Sequence, residues 1–250
     1  MMRKTALWVL IPVKDFVNAK QRLSGVLSPS ERRALSQAMV EDMLQCLAGV
    51  AGIAGVALVS DDSGAELLAY RYGARVIVEK GHSRGLNAAV AQAAALMPEL
   101  GATHMLVLHG DLPVIVAQDI EHLIANLPAP GEALVRLVPD ALRQGSNALL
   151  CSLPPPIPFC YGENSFNRHL GACLERGVAC SEVPLVSLQL DIDMPQDLRQ
   201  LLDKADITPQ VCGKTGAVLA EYAVAKRLRQ MVLDEVVTES PVGTGVDHAN

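Results

Sequence analysis

The chain has 250 residues, half of them hydrophobic and 19% charged, so it can bury a large core, and wholesale disorder is excluded. Its net charge of −6 and pI of about 5.5 argue against nucleic acid as a partner, because binding a phosphate backbone calls for a basic face. Aromatic residues make up only 3%, leaving Leu, Val, Ala, Ile and Met to build the core, and no apolar run reaches the ~20 residues that span a bilayer.

The start, Met1-Met2-Arg3-Lys4 followed by Ala6 to Ile11, has the outline of a signal peptide. Its apolar part is short, runs into Pro12 and Lys14 and has no small-residue cleavage site, so Leu7–Ile11 reads as a first strand. Ser28-Pro29-Ser30-Glu31 forms a capping box with Pro at the first helical position. The helix it opens carries Leu35, Met39, Met43 and Leu47 at steps of four, a stripe that faces a core. Strands follow at Val56–Val59, Arg75–Val78 and Met105–Leu108, separated by helices through Leu67 and Leu68 and over Gly85–Ala95. After a helix over Gln118–Leu127 and the break Pro128-Ala129-Pro130-Gly131 come strands Ala133–Val138 and Asn147–Cys151. A proline-rich connector leads to a helix Phe166–Glu175, a strand Leu188–Ile192 and a helix Gln196–Lys204. Ala217 to Leu233 reads as one amphipathic helix, and Thr238 to Asn250 as disordered.

Alternation of this kind predicts an α/β fold, a mostly parallel sheet sandwiched by helices, with ligands beyond the C-terminal strand ends. Two nucleotide signatures fail. Gly213-Lys214-Thr215 looks like the end of a P-loop, but the first glycine of that motif falls on Thr208, and no G-x-G-x-x-G follows a strand. The cysteines, Cys46, Cys151, Cys160, Cys173, Cys180 and Cys212, form no C-x-x-C pair; reduced thiols and a cytoplasmic location are expected.

Four constellations remain. Lys14, Lys20 and Arg22 follow the first strand, where an anionic ligand is met; the competing reading is a solvated basic loop. Asp111, in His109-Gly110-Asp111-Leu112-Pro113, lies just past a buried strand and suits Mg²⁺, or alternatively caps a helix. Asp191 and Asp193 share one face if the segment is extended, an arrangement that needs a cation between them; Asp193 is also a candidate cap for the next helix. Gly145-Ser146-Asn147 and Tyr161-Gly162-Glu163-Asn164-Ser165 offer backbone N–H groups and hydroxyls at a helix start, either an anion site or ordinary turn chemistry. Gly85 and Asn87 open a helix and are candidates to face a base or ribose. The histidines show no ligand spacing.

Taken in order, these runs resemble the 2-phospholactate guanylyltransferases: Pro12-Val13-Lys14 with Ala19 to Leu23 and Leu27 to Arg32, then Gly85-Leu86-Asn87-Ala88-Ala89, Gly110-Asp111-Leu112-Pro113, Gly145 to Leu150, Gly162 with Ser165-Phe166, His169, and Asp191-Ile192-Asp193 with Pro195. The resemblance covers roughly residues 7 to 204. It implies a single nucleotidyltransferase domain, Rossmann-like and GT-A-like. It also implies guanylyl transfer from GTP to 2-phospholactate, phosphoenolpyruvate or 3-phosphoglycerate, releasing pyrophosphate, in the assembly of coenzyme F420. Asp111, Asp191 and Asp193 would then hold Mg²⁺ and, with Lys20, carry catalysis. Lys14, Lys20, Arg22, Gly85 and Asn87 would bind GTP, and Ser146, Gly162 and Ser165 the phospho-acid. The family usually has Gly-Thr-Asn at Gly145-Ser146-Asn147 and Phe-Gly-Pro-Gly-Ser at Tyr161 to Ser165, both departures in the acceptor pocket. A molybdopterin or sugar-phosphate nucleotidylyltransferase and a catalytically silent nucleotide-binding module are the alternatives. Residues 1–206 are expected to form the catalytic domain and 207–250 an extension whose Val218, Leu219, Tyr222 and Leu228 face a partner subunit, hence a homodimer. The expected partners are small molecules, with no nucleic acid and no membrane.

Overall fold

The structure, a computed structural model, describes residues 4–78, 85–207 and 213–239. In chain order the elements are β1 (Leu7–Pro12), α1 (Pro29–Ala48), β2 (Ile53–Val59), α2 (Ser63–Tyr72), β3 (Arg75–Ile77), α3 (Leu86–Leu96), β4 (His104–Leu108), α4 (Ala117–Ile124), β5 (Val135–Pro139), β6 (Ser146–Ser152), α5 (Ser165–Arg176), β7 (Cys180–Glu182), α6 (Pro195–Ile207), α7 (Gly213–Glu221) and α8 (Val224–Glu239). The strands form one sheet in the order β3-β2-β1-β4-β6-β5-β7, in which β6 alone runs against its neighbours. Its reversal places Ser146, the first residue of β6, beside the C-terminal end of β4, where Ala148 pairs with Leu108.

Side-chain alternation divides the strands between two cores. Leu7, Val9, Ile11, Leu106 and Leu108 pack on one face with residues of α1, α2 and α4. Trp8, Leu10, Met105 and Val107 pack on the other with residues of α3 and α5. The predicted stripe of α1, Leu35, Met39, Met43 and Leu47, is fully buried, and its capping box forms as read: Ser28 Oγ accepts from Glu31 N, and Glu31 Oε2 from Ser28 N. A third cluster joins α1, α6, α7 and α8 through Leu35, Met39, Leu198, Leu201, Leu219 and Leu228.

Several expectations need correction. Leu188–Ile192 is not a strand: a 3-10 turn covers Val186–Leu188, and the chain beyond it is irregular up to α6. Leu188, Leu190 and Ile192 are buried alternately, which mimics a strand in sequence, but Leu188 packs into the core with α1, α2 and α4, and Leu190 and Ile192 into the third cluster, without joining the sheet. The single helix expected over Ala217 to Leu233 is two, broken where Ala223 takes φ +49°, with neither Gly nor Pro to signal it. The apolar face expected to meet a partner subunit lies against this chain: Leu219 and Leu228 are within the third cluster, with Val218 and Tyr222 packed on it. The boundary drawn at 206 falls inside α6, and Asp42 of α1 accepts hydrogen bonds from Lys214 N and Thr215 N at the start of α7, at 2.7 and 2.8 Å. Of the tail expected to be disordered, Thr238 and Glu239 are helical, and the rest lies outside the described residues. Strand β7, polar and only three residues long, carried no signal in its sequence. Among the described residues no helix is long and apolar enough to cross a membrane.

Candidate active site

The sheet order reverses at β1, with β2 on one side and β4 on the other, and the crevice this opens lies past their C-terminal ends. A cavity of about 250 Å³ fills it, walled by the loop after β1, the inner face of α1 and the His109–Asp111 turn. Gly110 makes that turn fit: a Cβ there would stand 3.1 Å from Val40 Cγ2 and 3.6 Å from Ile11 Cγ2. The loop is anchored at its start by Asp62, whose Oδ2 accepts from Phe16 N at 2.9 Å.

Lys20, Asp111 and Asp193 converge here from sequence separations of 91 and 173 residues. Lys20 Nζ lies 2.6 Å from Asp111 Oδ2 and 2.7 Å from Asp193 Oδ1, with its side chain only 10% exposed. Burial opposes the ammonium charge, but the two carboxylates outweigh it and hold Lys20 above the usual lysine range. Burial likewise works against the Asp111 carboxylate, and Lys20 overcomes it, holding the group below its ordinary range. Arg22 is the outer cation, exposed and 3.9 Å from Asp193 Oδ2. Lys14 is exposed at the cavity wall.

Asp191 does not share the ion pairs with Lys20, but it lies close enough to Asp111 and Asp193 to feel both charges. Its Oδ1 accepts from Asn147 Nδ2 at 3.3 Å, and burial, with the like charge of Asp111 next, raises its pKa. The shared face expected for Asp191 and Asp193 required a strand, which the segment does not form. Neither aspartate assigned a possible capping role performs it. Asp111 lies well before α4, whose N-cap is Val116, and Asp197 Oδ2, not Asp193, accepts from Asp193 N and Met194 N ahead of α6.

Among the described residues no three His, Cys, Asp or Glu side chains close on one point. The carboxylates of Asp111 and Asp193 do close on one cation, the Lys20 ammonium, and Asp111 Oδ1 is buried with no hydrogen-bond partner among the described residues. Two carboxylates and a spare buried oxygen fit Mg²⁺, which takes one or two carboxylates and completes its shell with water and substrate phosphate.

Beside Asp111, the start of β6 meets the start of α5. Ser165 Oγ accepts from Ser146 N at 2.9 Å, and Ser146 Oγ lies 3.0 Å from His169 Nδ1. Cys160 N donates to His169 Nε2 at 2.8 Å, which leaves the proton of the neutral imidazole on Nδ1 and makes Ser146 Oγ its acceptor. Burial, followed by nearby Arg168, lowers the His169 pKa to about 4. Both serine hydroxyls keep a proton to donate, although both residues are buried. Gly162 takes φ +115° and Asn164 φ +53° just before α5, so this turn needs a glycine and an asparagine. The Tyr161 ring lies between the His109 and His169 rings, at 5.3 and 5.0 Å.

Asn87 and Gly85, expected at the nucleotide, flank Leu86, which lines the cavity. Both ends of the Asn87 amide hold the Tyr161 backbone, Oδ1 accepting from its N at 2.6 Å and Nδ2 donating to its O at 3.0 Å. Gly85, with φ +115°, is the exposed N-cap of α3. Sequence reasoning missed Ser36, a buried polar residue beside the stripe of α1 that lines the cavity and whose Oγ has no partner among the described residues, and it discounted His109, whose Nε2 is likewise buried and unpartnered among them. The position of His109 next to Gly110-Asp111 was its one signal.

Residues 7–208 match the family described as guanylyl transferase CofC like. The chain belongs to this family. Phosphoenolpyruvate guanylyltransferase from Conexibacter woesei is 36% identical to this CofC-like chain over 194 residues, covering 78% of this chain and 86% of the relative. 3-Phospho-D-glycerate guanylyltransferase from Phenylobacterium zucineum is 34% identical over 218 residues, covering 85% and 94%. 2-Phospho-L-lactate guanylyltransferase from Methanothermobacter thermautotrophicus is 32% identical over 194 residues, covering 77% and 82%. Among solved structures, a candidate nucleotide-diphospho-sugar transferase from Desulfovibrio desulfuricans superposes with a TM-score of 0.73 at 16% identity, covering 91% of this chain and 98% of that one. A 4-diphosphocytidyl-2C-methyl-D-erythritol synthase does so at 0.55 and 17%, covering 80% and 99%. The CofC-like chain thus shares its fold with nucleotidyltransferases.

Proposed function

We propose that this protein transfers the guanylyl group of GTP to the phosphate of a three-carbon phospho-acid, in the biosynthesis of coenzyme F420. The observation that carries the reading is the cluster of Lys20, Asp111 and Asp193 at the switch point of the sheet, in a chain of the CofC-like family. An oxygen of the acceptor phosphate attacks the α-phosphorus of GTP, a new P–O bond forms, and the bond to the β-phosphate oxygen breaks, releasing pyrophosphate. No protein nucleophile is required, because the acceptor phosphate is already ionised. The main task is to bring two polyanions together. Lys14, Lys20 and Arg22 neutralise the triphosphate and the leaving pyrophosphate. Asp111 and Asp193 would hold Mg²⁺, which supplies further positive charge at the phosphates when bound.

Ser146, Ser165 and the N–H groups at the start of α5 receive the phospho-acid. Both hydroxyls have their acceptor side engaged within the protein and a proton left to donate, which suits an anion. Orientation of the acceptor phosphate against the α-phosphorus supplies much of the remaining rate.

Mass spectrometry of the nucleotide product tests the reading. Incubation with GTP, Mg²⁺ and an equimolar mixture of 2-phospholactate, phosphoenolpyruvate and 3-phosphoglycerate should give a guanylylated acid and pyrophosphate. Pyrophosphate only with a sugar phosphate would favour the sugar-phosphate reading, and none with any acceptor would favour a silent binding module.

A further inference from the structure

Lys20 holds a conformation that few L residues adopt, with φ +53° and ψ +42°. Such a backbone persists only where its surroundings fix it. The residues on both sides are gripped by one buried side chain. Arg32, in the first turns of α1 and 5% exposed, donates from Nε to Ala19 O at 3.3 Å, from Nη1 to Leu27 O at 3.0 Å and from Nη2 to Gln21 Oε1 at 3.5 Å. A second arginine closes the loop from outside. Arg227 of α8 donates from Nη1 to Val26 O at 3.1 Å, and its two nitrogens bind the two oxygens of Glu31 at 2.8 and 2.7 Å. Between these grips, Leu23, Val26 and Leu27 are buried in the third cluster with Leu219 and Leu228. Arg227 lies beyond residues 7–208, the span matched to the family.

We infer that Arg32 and Arg227 are positioning residues that brace the loop from both sides and so place the Lys20 ammonium against Asp111 and Asp193. Neither need touch substrate; both act through Lys20. A planar guanidinium suits the task, since it reaches several carbonyls in fixed directions where an ammonium reaches fewer. The segment beyond the family match thereby takes part in forming the site.

The inference rests on the function proposed above, and its test uses the full chain in a double-mutant cycle. Arg32→Met, Lys20→Met and the double variant are compared in single turnovers with saturating phospho-acid. Arg32→Met should slow turnover on the order of tenfold and leave the KM for the acid within twofold of the unaltered protein. In the Lys20→Met background the same change should slow turnover less than twofold, and Arg32→Lys should recover part of the loss. Should Arg32→Met fail to fold, Arg227→Met, at a half-exposed position, takes its place, with an expected loss of about threefold that also vanishes without Lys20. Losses that multiply in the double variants, or folded single variants with unaltered turnover, overturn the inference.

Hydrogen exchange reads the same inference without turnover. The Leu23 and Ser24 amides, bonded to Lys20 O and Gln21 O, should exchange at least tenfold faster in the arginine variants while those of β1 are unchanged. Unchanged exchange at Leu23 and Ser24 overturns it. Absence of a guanylylated product from the unaltered protein counts against the proposed function alone, and the exchange result still decides the brace.

Discussion

Lys20 is nearly buried between two carboxylates, so its charge is balanced by Asp111 and Asp193, with Arg22 adding to Asp193 from outside. Asp111→Asn or Asp193→Asn should lower turnover on the order of a hundredfold, as when a positioned electrostatic group is lost. The fold should persist, since Asn keeps the size and shape of Asp and its amide oxygen still accepts from Lys20. Turnover close to that of the unaltered protein, in a variant with a normal circular-dichroism spectrum, would remove these aspartates from the chemistry. Ser165→Ala acts on both stability and binding. Loss of its hydroxyl leaves the buried Ser146 N–H without an acceptor, at a cost of about 1–3 kcal/mol, measurable by urea denaturation. On the function proposed above it also removes a donor to the phospho-acid, so the KM for the acid should rise about tenfold while that for GTP changes little. An equal rise for GTP would mean that the two pockets are assigned the wrong way round.

Among the elements, those with a strong local signal are legible in the residues themselves. The capping box of α1, its stripe at steps of four, and β1, β2 and β4 follow from residue type and spacing, because each buries a face that its own periodicity defines. The site is legible as charged residues past strand ends, and Lys20, Asp111 and Asp193 do meet. What local pattern leaves open is set by long-range packing. Nothing in Leu188 to Ile192 distinguishes a strand from an irregular segment with alternate residues buried, so Asp191 and Asp193 could not be told apart. The roles of Arg32 and Ser36 depend on which wall of α1 faces the loop after β1, and that is decided in three dimensions. The same packing makes a prediction for α8. Leu228→Ala, emptying a position that is 2% exposed, should cost about 2–5 kcal/mol in urea denaturation. A cost below about 1 kcal/mol would mean that α8 is not docked.

At the scale of the whole molecule, acid should loosen the fold in two stages. Burial, with Arg168 next, lowers the His169 pKa from 6.5 to about 4, so between those values the unfolded chain binds a proton that the folded one refuses. Stability therefore falls as pH drops through that window. Glu31 follows: the Arg227 hydrogen bond lowers its pKa from 4.5 to about 2 against the opposing effect of burial, so its contribution is complete above pH 4.5 and fades toward pH 2. Urea melts across this pH range should show both limbs, with Glu31→Gln flattening the lower and His169→Gln the upper. The separations that close the site also bear on the order in which the molecule is made. Trp8 sits in β1 with its ring against Gly55 of β2 and the guanidinium of Arg75 of β3, whereas the Lys20–Asp193 contact waits for residue 193 and the Arg227–Glu31 contact for residue 227. Contacts so distant in sequence form late, because their loops must close first. A growing chain would bury its tryptophan while still unable to gather the charges proposed to meet GTP, and on refolding the recovery of Trp8 fluorescence should precede the recovery of nucleotide binding.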